Sequence, residues 1–362
     1  MTYGTLNADL IGNSNGQTGN AIGPGFKNRI INGTFAVAQR GTSFTSSGGG
    51  NNDDAYTLDR WYILSDGNDA IDVTQETSTV PTNGQFAIAL DVETANKKFG
   101  IAQIIENKNC IGAIGNTVTV SFKAKVSSTT KLDNVKCAIV AWSGTADTVT
   151  SDIISAWGAE GTNPTLIANA TYENTPANLN VTTSYATYSV SGAVDTASTK
   201  NIIVFIWSDV TDTTAGDFLY ITDVQLEVGS SATSFDYRPY GTELSLCQRY
   251  YYKIGTTDAN ARVLAPSGFV ETSTRAIAFV NFPVSMRTAP TAVEQTGTAA
   301  NYLVRYTGGN DVACSVVPTF NIGTTWGARS LFDVASGLTG GQSVMIQTTA
   351  ASGVFLAWSA EL

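Results

Sequence analysis

Hydrophobic and polar side chains alternate along residues 117–126. Val118, Val120, Phe122, Ala124 and Val126 fall on one side of an extended backbone, because successive strand side chains point to opposite faces. The run therefore predicts a β-strand with one buried and one wet face. Further short strands are predicted at 30–39, 58–65, 70–77, 85–92, 101–106, 135–142, 186–190, 201–207 and 218–227.

The spacing of these strands predicts the fold class. They follow one another at intervals of about 10 to 15 residues with polar turns between them, which favours a β-sandwich or jelly roll. Residues 149–181 are less regular and are expected to form long loops at one end of the sandwich. We place the jelly roll at 28–240.

A short helix and a second β-rich region follow. Residues 239–248 contain good helix formers after Gly241 and predict one short helix, with 241–248 as a linker. Residues 249–362 are predicted to form a second, smaller β-sandwich. Its strands are expected at 268–270, 276–282, 303–306, 312–317, 343–347 and 353–359.

The composition agrees with an all-β protein. Charged residues make up only 14% of the chain and there are 34 glycines, whereas long amphipathic helices would need more Glu, Lys, Arg and Leu. The net charge of −10, with 20 scattered Lys and Arg residues, argues against nucleic acid as a partner. No apolar run approaches the ~20 residues of a membrane helix, and no signal peptide is visible, so we expect a protein made in the cytoplasm.

The chemistry open to the chain is limited by the absence of histidine. Without imidazole, Ser-His-Asp and Cys-His nucleophiles and His-based metal sites are excluded. The four cysteines are far apart and form no CxxC pair, so we expect reduced, buried thiols. A disulfide between Cys110 and Cys137 is an alternative that the sequence does not specifically indicate.

Five segments, taken in order, resemble a known family. They are NRIINGTF at 28–35, LDRWY at 58–62, ITDVQLEVG at 221–229, SFDYRPY at 234–240 and CQRYYYK at 247–253. This set resembles bacteriophage virion proteins such as tail fibres and tail spikes, which carry a jelly-roll domain similar to carbohydrate-binding modules. The resemblance spans about residues 28–253, and the RPYG…CQRYY run is its specific part.

The resemblance implies a non-enzymatic structural protein of the virion, most simply a tail fibre or adhesin that presents β-sandwiches to a host surface glycan or receptor. Residues 1–27, rich in Gly and Asn, would then be an arm joining other virion proteins or sister chains; a flexible tail is the equal alternative. Fibres of this kind usually form trimers, so a homotrimer is expected. The alternatives are a capsid or tail decoration protein and a glycan-degrading tail spike.

Aromatic residues in predicted loops are the candidate ligand-binding side chains. Trp157 lies beside Gly158 and Glu160 and could stack on a sugar, or it could equally anchor its loop. In the second domain, Tyr302, Tyr306, Trp326 and Arg329 could form a polar-aromatic patch, with ordinary loop packing as the favoured alternative. By contrast, Trp61 and Trp207 lie in apolar strands and are predicted to be core residues.

Two carboxylates near the last strand of the jelly roll bear on metal binding. Sugar-binding jelly rolls often hold a structural Ca²⁺ where the first and last strands meet, and the resemblance places Asp223 and Glu227 there. Two carboxylates fall far short of the six to eight oxygens that Ca²⁺ needs, so we favour ordinary solvated or hydrogen-bonded acids. No other cofactor is expected.

Catalysis would need paired carboxylates at a defined separation. Asp53 with Asp54, and Asp209 with Asp212, are available, but nearby loop acids are usually solvated. Catalytic spikes also tend to be parallel β-helices with strict short repeats, which this chain lacks. We therefore expect no enzymatic activity.

Overall fold

The computed structural model describes residues 26–256, 260 and 262–362, and these are organised almost entirely as β-strands. The predicted all-β class, a jelly-roll sandwich followed by a second sandwich, is confirmed. Most of the predicted arm at 1–27 lies outside the described residues.

The first sandwich consists of two antiparallel sheets. The six-stranded sheet contains, in spatial order, β1 (Ser43–Phe44), β3 (Ile71–Glu76), β4 (Ala87–Val92), β13 (Phe218–Val228), β6 (Thr117–Val126) and β11 (Ala186–Ala193). The five-stranded sheet contains β10 (Ala170–Tyr172), β7 (Val135–Trp142), β12 (Asn201–Ser208), β5 (Phe99–Ile105) and β2 (Tyr62–Ser65). A short helix, α1 (Asn107–Cys110), follows β5, and a two-stranded hairpin pairs β8 (Ile154–Ala156) with β9 (Thr165–Leu166).

The core lies between these two sheets. The apolar side of β6 is fully buried in it, as the alternation predicts, together with Trp61 and alternate residues of β12. The other face of the five-stranded sheet is also apolar and is covered by Val149, Ile153 and neighbouring residues. Residues 149–181 therefore do more than form end loops, because part of this region packs over a sheet. A strand that is buried on both faces has a continuous apolar sequence, as β12 does.

The segment at 28–35 differs from its prediction. Instead of a strand over 30–39, the chain makes a tight turn in which Asn32 and Phe35 have positive φ values of 59° and 57°. It still lies beside β13, since the Arg29 N–H donates to the Leu226 carbonyl at 2.8 Å and the Val224 N–H donates to the Gly33 carbonyl at 2.9 Å. The ladder between β13 and β6 shifts register between Thr222 and Gln225, and this bulge faces the turn.

The second sandwich follows helix α2 (Tyr240–Gln248), which matches the one predicted helix. A three-stranded sheet contains β14 (Tyr251–Gly255), β23 (Phe355–Ser359) and β17 (Glu294–Gln295). A seven-stranded sheet contains, in spatial order, β19 (Asn310–Ala313), β18 (Tyr302–Tyr306), β22 (Ser343–Thr348), β15 (Val263–Thr272), β16 (Arg275–Asn281), β21 (Gly327–Asp333) and β20 (Thr319–Thr324). Their facing side chains enclose a second core around Tyr302, Phe332 and Trp358.

Buried ion pairs join the two sandwiches. Glu106, with 2% of its side chain exposed, accepts hydrogen bonds from the Arg249 guanidinium at 2.7 and 2.9 Å and from the Tyr250 hydroxyl at 2.8 Å. Arg60 pairs with Glu361 from the end of the second sandwich, and its guanidinium carbon lies 3.6 Å from the centroid of the Tyr250 ring. These contacts hold the two sandwiches in a fixed arrangement.

Candidate functional site

A cleft opens where the turn at 28–36, the loop at 83–86 and the segment at 235–243 meet the bulge of β13. Its volume is about 360 Å³, which is within the range of about 300–1,000 Å³ typical of small-ligand sites. We call it the Tyr237 cleft. The elements that surround it are the same segments that carry the RPY sequence and the Asn-Gly turn.

Arg238 positions the wall of the Tyr237 cleft. Its guanidinium, 3% exposed, donates to the carbonyls of Asn28 and Ile30, both at 2.7 Å, and pairs with Glu243 at 3.1 Å. Glu243 in turn accepts a hydrogen bond from the backbone N–H of Asn32. Hydrogen bonds to charged groups are stronger than neutral ones, so the segment after β13 is fixed against the first turn of the domain.

Two tyrosines supply exposed ring surface at the cleft. Tyr237 is 63% exposed and Tyr240 is 60% exposed. The Tyr237 ring packs edge-on against Phe235 at 4.8 Å between centroids, and its hydroxyl donates to Asp223 at 3.2 Å. An exposed ring that is held in one orientation is suited to stacking against the C–H groups of a sugar.

Neutral polar side chains lie beside these rings. The side chains of Thr34, Asn83 and Gln85 line the cleft, and none of them makes a hydrogen bond to another residue of the described ranges. Amide and hydroxyl groups can each donate and accept. The cleft thus combines aromatic surface with neutral hydrogen-bonding groups, a combination that suits a hydroxyl-rich ligand.

Asp223 and Glu227 do not fit a calcium ion. The Asp223 carboxylate lies 2.8 Å from the Lys123 ammonium, and Glu227 accepts hydrogen bonds from Gln225 and from the backbone and hydroxyl of Thr233, at 2.7–2.8 Å. Both carboxylates are thus engaged within the protein, and the Lys123 ammonium would repel a metal ion at Asp223. Within 26–256, 260 and 262–362, no group of three or more His, Cys, Asp or Glu residues is arranged to hold a metal.

Trp157 is half-buried above the outer face of the five-stranded sheet. Its ring packs edge-on against Phe205 at 6.0 Å between centroids. The loop that follows Trp157 is fixed by a buried lysine: the Lys98 ammonium donates to the Ala159 carbonyl at 2.8 Å and also pairs with Asp209. This placement gives Trp157 an anchoring role; glycan contact by the exposed part of its ring stays a prediction.

The four candidate residues of the second sandwich do not form one patch. Tyr302 is fully buried, and its hydroxyl donates to the Phe355 carbonyl at 2.6 Å, so it cannot contact a ligand at the surface. Tyr306, on β18, is four strand positions away from β21 in the seven-stranded sheet, which corresponds to roughly 19 Å.

Trp326 and Arg329 do lie together. Trp326 is 67% exposed at the turn between β20 and β21, and it borders the same surface hollow as Arg329, Ile322 and Phe279. The Arg329 guanidinium donates to the Asn321 side chain. Of the predicted patch, Trp326 and Arg329 lie together on the hairpin of β20 and β21, which we call the tryptophan hairpin. Its role in binding stays a prediction.

The two pairs of acids considered for catalysis lie in different environments. Asp209 is fully buried between Lys98 and Lys136, whereas Asp212 is exposed beside Lys131. Burial, together with the neighbouring carboxylates of Asp53 and Asp152, raises the pKa of Asp54 to about 7. Asp54 thus has the pKa of a general acid, but it does not line the Tyr237 cleft.

Comparisons with known proteins give structural similarity only. No family model matches the chain, and no curated protein matches it. Among solved structures, the enzymatically active domain of tailspike protein 4 from bacteriophage CBA120 is 16% identical over 56% of this chain, with a TM-score of 0.33, and the chain covers 22% of it.

Carbohydrate-binding modules are also among the structural neighbours. A CBM4 structure is 16% identical over 55% of this chain and 99% of its own length, with a TM-score of 0.30. The CBM22-1–CBM22-2 tandem of Paenibacillus barcinonensis Xyn10C is 10% identical over 86% of this chain and 89% of its own, with a TM-score of 0.30. Similarity this low does not transfer a ligand or an activity to the chain.

In the part of the chain that the structure covers, no helix is long and apolar enough to cross a membrane.

Proposed function

We propose that this chain is a non-enzymatic structural protein of a bacteriophage particle, a tail fibre or adhesin that binds a host surface glycan in the Tyr237 cleft. The observation that carries the proposal is the proximity of two exposed tyrosines to the side chains of Thr34, Asn83 and Gln85, which have no hydrogen-bond partner among the described residues. The resemblance of the RPYG…CQRYY run to phage virion proteins supports the biological setting.

The arrangement of the cleft favours binding over bond cleavage. Glycosidases use one carboxylic acid and one carboxylate on either side of the scissile bond. The cleft acids Asp223, Asp236 and Glu243 are each engaged, with Lys123, with the backbone N–H of Lys27, and with Arg238, respectively. Acids held in this way fix the walls of the cleft and leave recognition to the neutral groups.

Binding to a glycan array, followed by titration calorimetry on the glycans bound, tests the proposal. We expect Tyr237→Ala to weaken binding at least about 10-fold, because an aromatic anchor contributes about 1.4 kcal/mol or more. Tyr237→Phe keeps the ring and should bind almost normally, which controls for folding. If Trp326→Ala abolishes binding and Tyr237→Ala does not, the site lies on the tryptophan hairpin.

The remaining parts of the proposal have their own measurements. Release of reducing sugar from a bound glycan, lost in Asp54→Asn, would show an enzyme and overturn the non-enzymatic assignment. Absence of glycan binding together with stable assembly on purified capsid protein would favour a decoration protein. A homotrimer is expected by light scattering after size exclusion, and a monomer at micromolar concentration would count against it.

A further inference from the structure

A second groove lies on the outer face of the six-stranded sheet, next to the Tyr237 cleft. It has a volume of about 510 Å³ and runs between the loop at 80–82 and the segment at 183–187, with Lys123 and Lys125 as its floor. Both lysines point outward because their neighbours Phe122 and Ala124 are buried in the core. We call it the Lys125 groove.

The Lys125 ammonium has no anionic partner in the described part of the protein. It forms no ion pair or hydrogen bond with these residues, and it lies between two aromatic rings, 5.5 Å from the centroid of Tyr220 and 5.9 Å from that of Tyr185. The rings attract the cation but leave its N–H donors open. In contrast, the neighbouring Lys123 is neutralised by Asp223 at 2.8 Å.

The walls of the groove add hydroxyl groups and one fixed ring. Thr82, Thr183 and Thr187 line it, and their hydroxyls make no hydrogen bond to any residue whose position is described. The Tyr185 hydroxyl donates to the Thr79 carbonyl at 2.8 Å, which holds the ring in place. Three acids lie near the rings of this region: Glu76 and Asp223 near Tyr185, and Glu76 and Asp91 near Tyr220. The Glu76 carboxylate accepts the backbone N–H groups of Ser78 and Thr79, and Asp223 is paired with Lys123.

We infer that the Lys125 groove binds the carboxylate of an acidic sugar, such as a uronate or sialate residue, in the same glycan that occupies the Tyr237 cleft. This rests on the proposed function. The ammonium would pair with the carboxylate, the threonine hydroxyls would bind ring hydroxyls, and Tyr185 would contact the sugar face. Because the chain carries a net charge of −10, attraction of an anion must come from such a local site and not from the overall field.

The two sites adjoin. Asp223 lines the Tyr237 cleft, Lys123 lines the Lys125 groove, and the ion pair between them joins the two floors. A chain of several sugars could therefore contact the tyrosines with one residue and the ammonium with another.

The test is an array of uronate- and sialate-containing glycans, each paired with its carboxyl-reduced form. The wild type should bind the acidic member of a pair at least 10-fold more tightly at low salt, and this preference should shrink as ionic strength rises. Lys125→Met should remove the preference and Lys125→Arg should retain it. Lys200→Met, which removes an exposed lysine elsewhere, should change nothing.

The outcomes separate the two proposals. Binding that is lost in Tyr237→Ala but is indifferent to carboxyl reduction and to Lys125→Met overturns the Lys125 groove and leaves the Tyr237 cleft standing. A preference for acidic glycans that persists in Lys125→Met also overturns it. Absence of binding to every glycan, acidic or reduced, instead overturns the proposed function itself.

Discussion

Replacing Glu106 with glutamine should weaken the junction between the two sandwiches in a pH-dependent way. Burial alone would raise the pKa of Glu106, but hydrogen bonds from Arg249 and Tyr250 outweigh it and lower the pKa from 4.5 to about 2. Each pKa unit corresponds to about 1.4 kcal/mol, so this difference corresponds to about 3 kcal/mol of stability at neutral pH. Removing one partner of a buried ion pair typically costs a similar amount, about 3–5 kcal/mol.

The sign of the pH dependence follows from the lowered pKa. A carboxyl group with a pKa lower in the folded than in the unfolded state contributes its full stability above its unfolded value, here 4.5. That contribution is lost as the pH falls towards about 2, because the folded protein then has to bind the proton as well. At pH 2 about half of the folded molecules carry this proton, and most of the stability difference between the wild type and Glu106→Gln should have disappeared.

Urea denaturation of the wild type and Glu106→Gln between pH 2 and 7 measures the effect. We expect a difference in unfolding free energy of about 3 kcal/mol at pH 7 that decreases towards zero at low pH. Glu271→Gln, at an exposed position of β15, is the matched control and should show no such difference. A difference below about 1 kcal/mol at pH 7, or one that does not change with pH, would refute the reasoning.

Three further predictions follow from packing. Gly33→Ala should cost about 2–3 kcal/mol, because an added Cβ would lie 2.1 Å from the Val224 carbonyl oxygen. Gly241→Ala is the control and should leave the melting temperature unchanged or higher, because a Cβ at this position faces open space. Equal melting temperatures of the two variants would contradict this prediction. Asp209→Asn should destabilise by about 3–5 kcal/mol in urea, since it leaves two buried lysines without their counter-ion; a loss below about 1 kcal/mol would argue against it. A thiol reagent should label the four buried cysteines only after unfolding, because burial raises the pKa values of their thiols, that of Cys110 to about 12. Labelling of the native protein would show that one of these cysteines is accessible.

The strands could be predicted from local sequence wherever one face of the strand is buried and the other is exposed to solvent. The alternation at 117–126 specifies both the strand and its buried side, and β6 has these bounds. The short helix could be predicted as well, since its sequence follows Pro239 and contains no β-branched run. In these segments, local preference and tertiary packing agree.

The turn at 28–35 could not be predicted in this way. Its isoleucines and phenylalanine suggested a strand, but the positive φ of Asn32 depends on hydrogen bonds of its side chain to Val37 and Asp59. Those partners are brought together only by the folded domain. The sheet face covered by residues from Val149 onwards was missed for a similar reason, since apolar runs do not identify what packs on them.

The candidate site was predicted in part. The sequence singled out Asp223 and the RPY run, but it did not identify Tyr237 and Tyr240 as exposed aromatic side chains. The available signal was the FDYRPY segment, in which aromatic and charged residues mix directly after the last strand. Tyr302 was assigned to the surface incorrectly, because its strand alternates and the sequence alone did not show which face is buried.

The fixed junction between the sandwiches also has a consequence for multivalent recognition. If the Tyr237 cleft binds a cell surface first, the tryptophan hairpin is held near that surface by the rigid junction. The effective concentration for this second contact is then set by the fixed distance between the two sites and not by a flexible linker. Such a molecule would gain avidity only from receptors whose spacing matches its own. Loosening the Glu106 junction would then broaden the range of surfaces recognised and weaken attachment to the matching one.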